Sequence, residues 1–241
     1  MQPKREVITL TKRENFKERG YEMLRIEALS DAVFAFSVSL LVVALEVPQN
    51  FNELRTILKG AIPFFATVAL LFLFWYQQYK FFRRYGLNDI QTILYNLVYL
   101  AVILFYVYPM KFLFSLLLGS WTGINLFPEA TEKGISVINR EDFPQLIILF
   151  SAGYAIIWLL LALMYSKALK EKQKLDLSLY EIYFTQKEKR GAMWNVVVGA
   201  VAILMALLSW ERMAGLCYLF IPVLLYLNEI LFKKSLKKYK V

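Results

Sequence analysis

The chain has 241 residues, of which 59% are apolar and only 20% charged, and its mean hydropathy is +0.48. A soluble domain sits near roughly 45–50% apolar and about 25% charged, so the balance is displaced in the direction that a lipid solvent demands. Abundant aromatics (16%), ten glycines and one cysteine exclude disorder, a collagen-like repeat and a disulfide scaffold. The lack of any histidine removes the commonest zinc ligand and the side chain that titrates near neutrality.

Apolar runs of about 20 residues, enough to cross a hydrocarbon core of about 30 Å at 1.5 Å per residue, recur six times. They cover approximately 28–47, 61–82, 90–118, 143–165, 193–210 and 214–232. The first stops at Pro48, and Pro63 falls in the opening turn of the second, where a missing N–H costs little. The third is longer than one crossing needs and carries Pro109 and Lys111 near its far end. Only the Glu211–Arg212 turn separates the last two. Between the runs, Gly119–Asp142 reads as a small extracellular cap and Glu171–Arg190 as an amphipathic cytoplasmic connection. Residues 1–241 therefore read as one all-α transmembrane domain, and the long charged N-terminal stretch does not resemble a cleavable signal.

The net charge of +9 could suggest nucleic acid, but its distribution follows topology. Lys and Arg gather in cytoplasmic loops. Here they crowd the N-terminal segment, the loop with Lys80, Arg83 and Arg84, the loop from Lys167 to Arg190, and the tail from Lys233 onward. The opposite side holds Arg55, Lys59, Lys133, Arg140 and Arg212, outnumbered by acids. An even number of passes with both termini cytoplasmic satisfies every loop. The basic excess is then a topology signal with added contact to anionic lipid, and no nucleic-acid partner is expected.

Polar groups at membrane depth are the informative positions, and the first pass holds the densest set: Arg25, Ser30, Asp31, Ser37, Ser39 and Glu46. At 100° per residue, Leu29, Phe36, Leu40, Val43 and Val47 fall within about 40° of one line, with Ser39 flanking it. Asp31 points about 140° from Phe36. Arg25, Ser30 and Asp31 lie where they could cap the helix, since Ser or Asp near an N-terminus satisfies free N–H groups. Elsewhere, Asn96 and Asn195 suit helix-to-helix bonding. Trp75, Trp158, Trp194 and Trp210 suit headgroup anchoring, Glu229 can snorkel beside Lys233, and Cys217 reads as inert packing.

The segment from Arg25 to Pro48 resembles the signature helix of the transmembrane protein 175 family, potassium-permeable channels of bacterial membranes and, in duplicated form, of lysosomes. The family pattern is Arg-x-x-x-Phe-Ser-Asp followed by an apolar run ending near Leu-Glu-x-Pro. This chain keeps Arg25, Ser30, Asp31, Leu45, Glu46 and Pro48, with Leu29 in the Phe position. Trp75 toward the end of the second pass, and Asn96 with Pro109 in the third, agree with it. Where the family has a His shortly after the Trp, this chain has Gln77 and Gln78, so a glutamine amide would take that role.

The resemblance implies a homotetramer in a bacterial inner membrane, with the first helix of each subunit lining a central pore narrowed by apolar rings. Carried over by position, the constriction falls on Phe36, Leu40 and Val43, a pore-lining hydroxyl on Ser39, and an outer vestibule on Glu46. Arg25, Ser30 and Asp31 then form a structural network that does not bind the permeating ion. Potassium passes transiently near Phe36, Ser39 and Leu40, and no cofactor is implied. The expected function is a passive potassium-selective cation channel. A secondary transporter or proton-conducting protein is the alternative, and it would ordinarily show ionisable residues at midplane or broken helices. An enzyme is not expected, for want of a nucleophile–base pair or a metal cluster.

Overall fold

A computed structural model describes residues 16–43, 48–127, 130–131, 133–139 and 141–238. Its elements are α1 (Arg25–Val43), α2 (Phe51–Lys59), α3 (Ala61–Tyr85), α4 (Ile90–Thr122), α5 (Phe143–Lys170), α6 (Leu179–Leu207), α7 (Glu211–Leu216), a 3-10 turn (Cys217–Phe220) and α8 (Ile221–Lys238). Among the described residues there is no strand. Among the described residues, six helices are long and apolar enough to cross a membrane: α1, α3, α4, α5, α6 and the composite Met213–Leu236.

The boundaries depart from the apolar runs in informative places. Helix α6 begins 14 residues before the expected fifth pass, because Ser178 and Glu181 form a reciprocal capping box at its N-terminus. The polar turns of that helix therefore extend beyond the crossing, in a stretch read from the sequence as a connection. The last pass is not one α-helix. Its chain starts as α7, tightens into the 3-10 turn and resumes at Ile221, next to Pro222. Between the first two passes, α2 forms a short amphipathic helix that the run pattern did not announce. Helix α4 continues for 33 residues through Pro109, about 50 Å at 1.5 Å per residue, and ends at Gly123.

Helix α5 occupies the middle of the subunit, packed against α3, α4, α6 and α7. The core around it is aromatic. Phe74 meets Trp158 edge-on at 6.2 Å between ring centroids, Phe81 meets Tyr165 at 5.5 Å, and Tyr154 meets Tyr218 at 5.3 Å. Gly153 lets the Tyr106 ring lie against the backbone of α5: a Cβ there would come within 2.4 Å of the ring. Tyr106 then donates to the Phe150 carbonyl at 2.7 Å. Trp158, expected at the headgroups, is buried in this core, since the helix carrying it has neighbours on most sides.

Candidate functional site

Helix α1 starts with a local device. Glu27 Oε1 accepts from the Leu24 N–H at 3.2 Å, while the Leu24 carbonyl accepts from the N–H groups of Glu27 and Ala28. From there the 3.6-residue period divides the helix into two faces. Ile26, Ser30, Phe34, Ser37 and Leu41 are buried in the subunit. The other face is bare: Phe36 is 56% exposed and Val43 78%, with Leu29 and Ser39 exposed and Leu40 half-buried. Asp31 is also at the surface, off that line. Glu46 lies outside the described residues.

The buried face is held by a closed polar cluster. Ser30 Oγ donates to the Ile26 carbonyl at 2.7 Å and accepts from Gln78 Nε2 at 2.6 Å and Asn96 Nδ2 at 3.0 Å. Gln78 Nε2 also donates to Asn96 Oδ1 at 2.6 Å. A hydroxyl offers one donor and two acceptor positions, so Ser30 is saturated. All three side chains are buried, and they join α1, α3 and α4 at one point. One turn away, Trp75 Nε1 donates to Asp31 Oδ1 at 2.7 Å, and the indole stacks on Tyr79 at 5.4 Å. Of the two glutamines that follow Trp75, Gln78 thus makes these bonds, and Trp75 serves α1 as a hydrogen-bond donor. Arg25 is exposed and makes no hydrogen bond or ion pair among the described residues.

Two contacts were not foreseen. Lys111 Nζ reaches the Leu41 carbonyl at 3.3 Å, in the last described turn of α1. At the other end, the segment leading into α1 is fastened by Arg19 to Glu181 of α6. The Ser-x-x-Glu spacing of 178–181 was the available signal for that carboxylate. Helix gluing by Asn195 is visible as well: its Oδ1 accepts from the Tyr154 hydroxyl and its Nδ2 donates to the Gly191 carbonyl at 2.8 Å. Glu229 pairs with Lys187 at 3.0 Å, and Lys233 stands 4.0 Å away. Among the described residues no group of three or more His, Cys, Asp or Glu side chains could hold a metal ion.

What the fold and this helix define is a multi-pass membrane protein whose first helix is polar-anchored behind and, among the described residues, largely apolar and uncovered in front. Comparison with known proteins gives the family. Residues 25–106 match the family described as "Endosomal/lysosomal potassium channel TMEM175". A protein of Marivirga tractuosa named "Potassium channel" is 36% identical over 231 residues, 92% of each chain. A crystal structure of a point variant of the potassium channel MtTMEM175, in complex with a nanobody–MBP fusion protein, superposes with a TM-score of 0.81 at 33% identity. That match covers 92% of this chain and 99% of the other. A lysosomal potassium-selective channel TMEM175 homologue from Chamaesiphon minutus shares the fold at a TM-score of 0.53 and 18% identity, over 85% of this chain and 96% of its own. The chain belongs to the TMEM175 family.

Proposed function

We propose that this protein is a passive potassium-selective channel of a bacterial inner membrane, both termini cytoplasmic, in which four copies bring the bare faces of α1 together around a central pore. The observation that carries this reading is the division of α1. A helix that only had to sit in lipid would need no buried Ser30–Gln78–Asn96 cluster to fix its rotation, yet that cluster turns Phe36, Leu40 and Val43 outward together. Family membership, through a relative named as a potassium channel, supports the same assignment.

In this reading Phe36, Leu40 and Val43 form stacked apolar rings about one turn apart. Such a neck blocks ions by dewetting when narrow, and a partly hydrated ion crosses when it widens. An unpaired charge is costly in apolar surroundings, and potassium sheds water more cheaply than sodium, so an apolar neck discriminates without a cage of carbonyls. Ser39 supplies the polar exception. Its hydroxyl proton goes to the Ala35 carbonyl at 3.0 Å, which leaves oxygen lone pairs free beside the rings. Potassium then passes near Phe36, Ser39 and Leu40. Glu46 would form an acidic outer vestibule that concentrates cations. Ser30 and Asp31 act in structure through their bonds to α3 and α4 and do not touch the ion, and Arg25, which has no partner among the described residues, lies outside that network.

The test is flux. Purified protein in potassium-loaded liposomes should release potassium down its gradient faster than empty liposomes, and sodium more slowly. No flux above empty liposomes overturns the channel reading.

A further inference from the structure

Arg19 lies six residues before the start of α1 and uses all five N–H donors of its guanidinium. Nε donates to the Leu175 carbonyl at 2.7 Å, Nη1 to the Lys17 carbonyl at 2.8 Å and Glu181 Oε1 at 2.9 Å, and Nη2 to the Asp176 carbonyl at 3.0 Å and Glu181 Oε2 at 2.8 Å. The Glu181 carboxylate is equally engaged, also accepting from the N–H groups of Lys17 and Ser178 at 2.9 Å each. The two side chains are 14% and 5% exposed. The Glu181 partnership, ahead of the opposing effect of burial, raises the Arg19 pKa further above its ordinary value, so this cation is permanent.

The backbone around it is pinned too. The N–H groups of Arg19 and Gly20 both donate to the Arg83 carbonyl, at 3.1 and 3.0 Å. A Cβ at Gly20 would stand 2.5 Å from the Phe82 carbonyl oxygen, so only glycine allows the crossing.

The topology gives this knot a mechanical meaning. Among the described residues, α1 packs on α3 and α4 and not on α5 or α6. Its direct attachment to α6 therefore runs through the lead-in segment, by the Arg19–Glu181 pair and by Phe16, whose ring meets Phe184 edge-on at 5.6 Å. Because α6 lies beyond α5, the attachment draws the cytoplasmic end of α1 away from its own bare face. Resting on the channel reading above, we propose that Arg19 and Glu181 are positioning residues for permeation: their ion pair holds the cytoplasmic end of the first helix back from the pore axis and keeps the apolar neck able to conduct.

The experiment compares Arg19→Met, Glu181→Gln and their double variant with wild type in potassium-loaded liposomes, at equal amounts of assembled protein. Lys187→Met, on the same helix as Glu181, serves as control, since it breaks the ion pair to Glu229 and leaves every bond of Arg19 and Glu181 in place. Couplings carried by such networks change equilibria by roughly two- to thirtyfold. Each single variant should lower potassium flux by a factor in that range, and the double variant should fall no further. Lys187→Met should conduct as wild type does. Unchanged or raised flux in Arg19→Met, or the same fall in Lys187→Met, overturns the proposal.

Should Arg19→Met fail to assemble, Arg19→Lys, which keeps the charge but loses the planar five-donor fork, is judged by the same criteria. Amide hydrogen exchange separates this proposal from the channel reading itself. Whether or not wild type conducts, loss of the latch should speed exchange in the first turns of α1 and leave its last turns unchanged. Exchange in residues 25–30 that stays at the wild-type rate refutes the latch, whereas absent wild-type flux refutes only the channel.

Discussion

Phe34 and Phe36 stand two positions apart on α1 and meet opposite surroundings. Phe34 is 3% exposed and packs against Tyr99 at 6.5 Å between centroids, whereas Phe36 touches little of its own subunit. Phe36→Ser should therefore raise basal potassium flux and erode discrimination against sodium, because a polar ring wets the neck, with little change in thermal stability. Phe34→Ser should do the reverse, costing about 3–5 kcal/mol as large-to-small core changes do with no gain of flux. Liposome flux and melting temperature, measured on both variants, check the pair. Ser39→Ala removes a lone-pair donor to a passing cation but no bond between helices, since Ser39 bonds only its own helix. It should lower the potassium-to-sodium permeability ratio, read as a shifted bi-ionic reversal potential, while current persists. That Leu29, Phe36 and Val43 share one face of α1 was legible in the sequence, because the helical period alone determines it; which face is bare was not, because both faces carry apolar side chains and serines. The partner of Asp31 was not legible either. Trp75 is 44 residues away, and a tryptophan near the end of a pass has a ready role at the headgroups, so nothing local reveals that its N–H turns inward.

Between elements, the polar cluster is what fixes α1 against α3 and α4. Gln78 holds both of its partners through one nitrogen, so Gln78→Leu deprives Ser30 and Asn96 of a bond at once. Interhelical bonds in membrane bundles average about 0.6 kcal/mol and reach about 1.7, so two such losses should cost roughly 1–3 kcal/mol, read as a lower melting temperature in detergent. Substituting Ser30→Ala and Asn96→Leu as well should recover part of the loss, because removing every partner leaves no orphan. A Gln78→Leu protein as stable as wild type would show that the cluster does not set the orientation. The apolar runs located all six helices long and apolar enough to cross a membrane, since lipid thickness dictates the length of such runs. They missed where helices outlast the membrane. The start of α6 is set by the Ser178–Glu181 capping box and not by hydropathy. The 3-10 turn before Pro222 sits inside a run that looks uniform.

At the scale of the molecule, the order in which helices pack was not legible. In a soluble protein the buried face of a helix is its apolar one, but a helix surrounded by lipid and a helix surrounded by helices present the same composition. The central place of α5, and with it the burial of Trp158, is consequently invisible in sequence. The same ambiguity attends the bare face of α1, which faces lipid in a lone subunit and the pore axis in a tetramer. Val43→Arg distinguishes the two. Facing lipid near the end of its helix, a single arginine snorkels to the interface at small cost, and flux should not change. Facing a pore, four guanidinium groups converge. Like charges a few ångströms from a permeating cation repel it by several kcal/mol even at an effective dielectric near 20, and each ~1.4 kcal/mol of barrier is tenfold in rate. We expect Val43→Arg to cut potassium flux at least about tenfold, with native mass spectrometry still reporting four copies of the chain. A tetramer that conducts normally with arginine at position 43 would move the ion path away from α1. A variant that runs as monomers would locate Val43 in a contact between subunits instead of on the open pore wall.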